Sequence, residues 1–152
     1  MPCCKVAVYS FLLCLLPLCV RADGINTAYG YTLGMSISDV QVLATRPGDY
    51  GDTLHVVKPA AGSDVETVLL GTGKDGRRVA RIIGRSELMP TTHCFTQLAK
   101  TVENLRQRYP GSGYYALDDS DMIFQQERNI LLSCQAEGEQ HRLVIEYRDE
   151  SL

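Results

Sequence analysis

The chain has 152 residues, of which 45% are hydrophobic and 22% are charged. This composition excludes a collagen, a long coiled coil and a disordered chain, and the length suits one domain of ordinary size. The formal net charge of −3 also excludes the basic balance that is typical of proteins whose main partner is nucleic acid.

Residues 1–22 are predicted to be a secretory signal. Lys5 gives this segment a positive start, a long apolar run follows, and small residues precede a cleavage site after Ala22. The apolar run is interrupted by Pro17 and is short for a segment that crosses a membrane. We therefore expect a periplasmic or secreted protein with a single domain over residues 23–152 and no stable membrane insertion after cleavage.

A short N-terminal helix is predicted at about residues 36–44. Ser36 is of a residue type that is favoured as an N-cap. Ile37, Val40 and Leu43 then recur at a spacing that brings them to one side of a helix. We expect this helix to precede the first long strand of the domain.

A hairpin is predicted around residues 71–76, because two β-rich runs flank the turn signal Asp75-Gly76. The same residues spell G-x-G-x-x-G, but dinucleotide binding needs a helix directly after the glycines. A β-rich run at 77–83 follows instead, so we expect a turn and no cofactor. The histidines of the chain also lack the spacing of metal ligands, and we expect no metal site.

The longest helix is predicted over about residues 91–109, and Pro110-Gly111 ends it. Its apolar stripe is formed by five residues at helical spacing. These residues are Phe95, Leu98, Val102, Leu105 and Tyr109. Further strand-forming runs follow. The predicted fold class is therefore α+β, with a mainly antiparallel sheet and this helix packed on one face.

Cys94 and Cys134 are the two cysteines that follow the predicted signal. An even pair in an oxidising compartment predicts a disulfide, which closes a loop of about 40 residues and is worth roughly 4 kcal/mol. The alternative is catalysis, because Cys94 lies in the first helical turn, where the helix dipole lowers the pKa of a thiol. His141 follows downstream, an order that resembles papain-like and NlpC/P60 peptidases, although Thr92–Thr96 does not match the active-site motif of the latter.

A group of basic residues suggests a docking patch. Arg77, Arg81 and Arg85 share one parity along the predicted strand, and Lys74 lies at the hairpin tip beside them. Guanidinium groups suit carboxylates, so these four residues are candidates for binding a protein partner with an acidic surface. The alternative is that they form an ordinary solvated face.

The segment from Tyr29 to Val40 resembles the opening of many small exported bacterial proteins, and its Leu-Gly-Met-Ser step is similar to one in the SmpA/BamE-like envelope lipoproteins. The order of a hairpin, a long helix ending in Tyr-Pro-Gly and more strands is similar to small periplasmic proteins, some of which are inhibitors or immunity proteins against secreted toxins. The first resemblance implies a structural role in envelope assembly, and the second implies a protein-binding module.

No pair of nucleophile and base stands in a recognisable catalytic context. We therefore expect a non-enzymatic, exported protein-binding module, such as an inhibitor or immunity protein against a secreted toxin or envelope enzyme. The alternatives are a cysteine-dependent envelope hydrolase that uses Cys94 and His141, and a structural envelope-assembly factor.

Overall fold

The computed structural model describes residues 24–152, and the predicted signal at 1–22 lies outside them. The described residues form ten strands, one α-helix and one 3-10 turn. In chain order these are β1 (Thr27–Ala28), β2 (Tyr31–Thr32), the 3-10 turn Ile37–Asp39, β3 (Val42–Pro47), β4 (Thr53–Val57), β5 (Thr67–Thr72), β6 (Val79–Met89), α1 (Thr91–Arg108), β7 (Gly113–Ala116), β8 (Ser120–Gln125), β9 (Arg128–Glu137) and β10 (Gln140–Asp149).

Eight of these strands form one antiparallel sheet, in the order β3-β4-β5-β6-β10-β9-β8-β7. It consists of two four-stranded meanders, β3–β6 and β7–β10, and α1 connects them along the chain. The meanders meet where β6 pairs with β10, so the last described strand lies in the middle of the sheet. The predicted α+β class with a mainly antiparallel sheet is confirmed, and so is the hairpin at residues 71–76.

The main core lies on one side of the sheet, here called the helix face. Helix α1 packs there against β8, β9 and β10. The segment that contains β1 and β2 packs beside it, and Ile25, Ala28 and Leu33 join the same cluster of buried residues. Burial of the apolar side chains beneath α1 and beneath the β1–β2 segment supplies the main driving force for folding.

The opposite side of the sheet, here called the open face, carries Arg81, Ile83 and Arg85 of β6. A smaller apolar cluster is buried on it, and all of its members are strand residues. They are Leu54, Leu69, Ile83 and Val144, with Val56 packed against them. Among the described residues no helix covers this face. Its apolar centre is shielded by long side chains, as at Gly71, where the Arg81 stem and Leu54 come together.

The N-terminal helix predicted at 36–44 is not formed. The chain makes only the 3-10 turn Ile37–Asp39, and the Ser36 side chain does not cap it, because its hydroxyl is 2.8 Å from that of Ser38. The residues that follow enter β3 and pair with β4. Pairing with a neighbouring strand therefore outweighs a weak local preference for helix.

Helix α1 spans Thr91–Arg108, which confirms the long helix predicted at 91–109. Its buried stripe differs from the predicted one at one position, because Cys94 is buried and the predicted member Phe95 is 50% exposed. The sulfur of Cys94 meets Cys134 on β9, which turns position 94 towards the sheet. Phe95 consequently lies at the flank of the helix, with its ring 6.1 Å from that of His141.

Candidate functional site

The four basic residues of the predicted docking patch do not form one stripe. Arg81 and Arg85 share the open face of β6, but Arg77 precedes the strand and a register shift next to Gly71 interrupts the alternation between them. Lys74 lies in the β5–β6 turn, where its main-chain N–H donates to the carbonyl of Leu152 at 3.1 Å. The hairpin tip therefore packs against the last described residue and does not project freely.

Arg81 belongs to an ion-pair network that we call the balanced cluster. Its guanidinium donates to Asp52 at 2.7 Å and also to Glu146, which accepts a second bond from Arg148 at 2.6 Å. The ring of Tyr50 lies 5.1 Å from the Arg81 guanidinium and 5.5 Å from that of Arg148. Two cations and two carboxylates thus neutralise one another, so Arg81 has little charge left for a partner.

Glu146 is held as a carboxylate in this cluster. Burial alone would raise its pKa, but the hydrogen bonds and positive charges of Arg148 and Arg81 outweigh burial and bring the pKa below its ordinary value. The pKa of Arg148 is raised, chiefly by its hydrogen bond to Glu146. Both shifts favour the ionised forms, so Glu146 and Arg148 remain charged at neutral pH.

Arg85 belongs to a different network, which we call the arginine-rich cluster. It contains three guanidinium groups and two carboxylates, from Arg46, Arg85, Arg142, Glu66 and Glu137. Arg142 donates to Glu137 at 3.1 Å and also contacts Glu66, and Arg85 contacts the same Glu137 oxygen. Arg46 makes no ion pair with any described residue. The cluster therefore carries a net charge of about +1.

The surroundings of Arg85 are unfavourable for its own charge. Burial lowers its pKa most, Glu137 partly compensates, and the positive charges of Arg46 and Arg142 lower the pKa further. Arg46 stands on the edge strand β3, and its positive charge influences both Arg85 and Glu137. Arg85 on β6 is therefore within electrostatic range of cations from β3 and β10.

Cys94 and Cys134 are brought together, as the predicted disulfide requires. Their Sγ atoms lie 2.07 Å apart in a disulfide that joins α1 to β9, and Cys94 is fully buried. The Nδ1 atom of His141 lies 3.0 Å from the hydroxyl oxygen of Thr91. In this arrangement the sulfur of Cys94 is already bonded, and His141 has a different partner from the one a thiol hydrolase would need.

A groove of about 410 Å³ lies on the helix face beside α1. Asp64, His93 and Lys100 are among its lining residues, and Leu143 and Ile145 contribute apolar surface. Several of its polar side chains are satisfied locally, as where the ring Nε2 of His93 lies 3.1 Å from Gln97 Nε2. The groove is thus lined by a mixture of apolar and polar side chains.

Two of the three arginines in the arginine-rich cluster were not predicted from the sequence. Arg46 stands on the edge strand β3 and Arg142 on β10, and the positions of these strands in the sheet cannot be predicted from local patterns. The useful signal was the alternation of Arg142, Val144 and Glu146, which gives these residues one face of a strand.

Family models, curated proteins and solved structures give no match to this chain. Within residues 24–152, no group of histidine, cysteine and acidic side chains has the geometry to hold a metal ion. The helix in that part of the chain is not long and apolar enough to cross a membrane. The resemblances to SmpA/BamE-like lipoproteins and to periplasmic inhibitors stay predictions.

Proposed function

We propose that this chain is an exported, non-enzymatic module that binds a protein partner through the arginine-rich cluster. The observation that carries the proposal is the excess of guanidinium groups over carboxylates on a face that no helix of the described residues covers. Arg85 and Arg142 are already held in place, with 21% and 13% of their side chains exposed. A partner that binds there meets cations whose positions are fixed, which reduces the entropy lost on binding.

The charge of the cluster favours an acidic segment on the partner. A guanidinium has five N–H donors in a fork that matches a carboxylate, and Arg46 uses none of its donors on a described carboxylate. One added carboxylate would balance the three cations. Glu66 is about half exposed, so an incoming Asp or Glu can also replace it beside Arg142.

An inhibitor or immunity protein is the form of this function that we favour. Such proteins work by occupying a surface of another protein, and electrostatic complementarity speeds and orients that encounter. The bonded state of Cys94 favours binding over the thiol-hydrolase alternative. The role in envelope assembly has only the Leu-Gly-Met-Ser resemblance in its support.

The proposal is tested by reversing the charge of Arg46. Arg46→Glu changes the net charge of the cluster from about +1 to about −1. Position 46 is exposed and makes no ion pair with any described residue, so the fold should tolerate the change. The matched control is Arg77→Glu, because Arg77 is also exposed, also lacks an ion pair with any described residue, and lies outside the cluster.

Wild-type protein and both variants are used to capture partners from an envelope extract, and the activity of each captured protein is measured with and without this chain. We expect wild type and Arg77→Glu to capture and inhibit the same protein, and Arg46→Glu to lose at least tenfold in affinity. Equal capture by Arg46→Glu would show that the partner binds elsewhere. Capture without any effect on activity would remove the inhibitor assignment.

A further inference from the structure

The two outer edges of the large sheet are protected differently. Edge strand β3 has a register shift between Val42 and Ala44, a charged Arg46 and a terminal Pro47. Bulges, charges and prolines are among the devices that keep an edge from pairing with another chain. Edge strand β7 is short, but its residues Gly-Tyr-Tyr-Ala and its regular register with β8 include no bulge, charge or proline.

The side chains of β7 and its following residue expose apolar surface. Tyr115 is 57% exposed and Leu117 is 49% exposed. The ring of Tyr115 stacks on that of Phe124 on the open face, with centroids 5.1 Å apart and planes inclined by 10°. This pair presents a flat aromatic surface directly at the sheet edge, where aromatic side chains favour association.

The main chain of β7 also presents free hydrogen-bonding groups. The N–H of Leu117 donates to the carbonyl of Ser120 at 2.8 Å, which identifies this as a hydrogen-bonded pair of the β7–β8 ladder. Such pairs alternate along an antiparallel ladder, so the main-chain N–H and C=O groups of Gly113 and Tyr115 also point towards β8. The N–H and C=O groups of Tyr114 and Ala116 therefore point away from the sheet, at the free edge.

The two ends of β7 carry opposite charges. Asp118 and Asp119 form the β7–β8 turn at its C-terminal end, and both are exposed. Arg106 and Arg108 belong to the last turn of α1, which leads into its N-terminal end, and the Arg106 guanidinium lies 4.9 Å from the ring centroid of Tyr114. A strand with one acidic and one basic end is complementary to an antiparallel copy of itself.

We propose that β7 is a self-association edge, at which a second copy of this chain adds its own β7 in antiparallel orientation. The two-fold axis passes beside Tyr115, so that Tyr115 of each copy faces Tyr115 of the other. Tyr114 and Ala116 are then opposite each other, and their outward main-chain groups form four hydrogen bonds across the axis. This register keeps the open face continuous through both copies.

Antiparallel pairing also brings opposite charges together at both ends of the new ladder. The Asp118-Asp119 turn of one copy approaches the Arg106 and Arg108 end of the other, and the symmetry repeats this contact. Because the shared strand is short and the buried area small, the dimer should be weak, with a dissociation constant on the order of 100 µM. This inference is independent of the arginine-rich cluster.

The test uses complementary charge reversals. In the variant Asp118→Arg/Asp119→Arg, both ends of a homodimer become basic, and in the variant Arg106→Glu/Arg108→Glu both become acidic. Each variant should therefore remain monomeric in sedimentation at concentrations where wild type dimerises. An equimolar mixture restores attraction at both ends, so it should form a heterodimer at least as tight as the wild-type dimer.

The control Glu139→Arg reverses an exposed charge in the β9–β10 turn, away from β7, and should dimerise as wild type does. Ala116→Pro removes one outward N–H without removing a bond to β8, and should give a monomer even if a charge variant fails to fold. Circular dichroism and thermal melting check the fold of each variant.

A wild-type chain that stays monomeric at about 1 mM would overturn the proposal. Dimers that persist in Ala116→Pro would also overturn it, as would a mixture of folded charge variants that stays monomeric. Binding of a foreign extended peptide at β7 without self-association would show that the edge takes a different partner.

Discussion

Glu146 on β10 accepts a hydrogen bond from Arg81 on β6, and this contact crosses the seam where the two meanders meet. Asp52, in the β3–β4 turn, binds the other side of the same guanidinium. A single arginine therefore connects the outer turn of the first meander to β10, the strand of the second meander that lies at the seam. Buried charges of this kind are costly unless each is paired, which makes the balanced cluster sensitive to the loss of one member.

We expect Glu146→Gln to lower the free energy of unfolding by about 2 kcal/mol at neutral pH, because Arg148 loses its carboxylate and Arg81 keeps only Asp52. Chemical denaturation of wild type and variant measures the difference. Arg78→Gln is the control, since it removes a surface pair with Asp75 and should change stability by less than about 0.5 kcal/mol.

Glu146 also predicts a pH dependence. Its folded pKa lies below the ordinary value of 4.5, so its contribution to stability is fully present above pH 4.5 and is lost as the pH falls through the folded pKa. Wild type should therefore lose stability on acidification below pH 4.5 more steeply than Glu146→Gln does. Parallel curves for the two proteins would show that Glu146 does not titrate differently on folding.

The stripe of α1 predicts unequal effects of two truncations. Leu98 is buried against the sheet, so Leu98→Ala should cost about 2–5 kcal/mol through lost contacts and a cavity. Phe95 is half exposed at the flank, so Phe95→Ala should cost less than about 1.5 kcal/mol despite the larger side chain. Thermal melting of both variants measures the ratio, and equal costs would contradict the orientation of the helix.

Gly84 lies beneath the ring of Tyr29, and a Cβ atom built there would be 2.3 Å from the Tyr29 Cε2 atom. We expect Gly84→Ala to lower the free energy of unfolding by about 1–3 kcal/mol through overpacking. The control Gly24→Ala meets only Gln125 at 3.4 Å and should change it by less than about 0.5 kcal/mol.

A double-mutant cycle checks the cause of the Gly84→Ala effect. In a Tyr29→Ala background the ring is absent, so the added methyl group at position 84 should be tolerated, and the two changes should be strongly non-additive. Additive costs would place the ring of Tyr29 elsewhere.

We expect the disulfide to stabilise the fold strongly as long as it is not reduced. It closes a sequence separation of 40 residues, so Cys94→Ala/Cys134→Ala should lower the free energy of unfolding by about 4 kcal/mol, plus a smaller cost for the lost side-chain packing. Denaturation of wild type with and without reductant gives the same comparison without mutation. Free alkylation of both cysteines in the folded, exported protein would contradict the pairing and restore the thiol-hydrolase alternative.

Local patterns in the sequence were enough to predict α1 and the hairpin at 71–76, because each of these depends on neighbouring residues. Position 36 shows where such patterns fail. Ser36 and the apolar spacing after it favour a helix locally, but β3 gains more by pairing with β4. Secondary structure that depends on a distant partner cannot be predicted from a short window.

The candidate site was harder to predict for the same reason. Arg85 and Arg142 come together only because β6 pairs with β10, and these strands are separated by α1 and three further strands. Arg46 comes from the edge strand β3, three strands away from β6 in the sheet. The sequence could therefore identify Arg85 as a basic residue on a strand, but not which carboxylates would neutralise it or which cations would lie beside it.

The central position of β10 has a consequence for the order of folding. The first meander gains its inner neighbour only when β10 is available, and β10 is made after all the other described strands. Because long-range strand pairing is slow and exposes unpaired edges, residues 24–139 should remain an aggregation-prone intermediate until β10 inserts between β6 and β9. The two halves of the sheet therefore cannot join before this last described strand is in place.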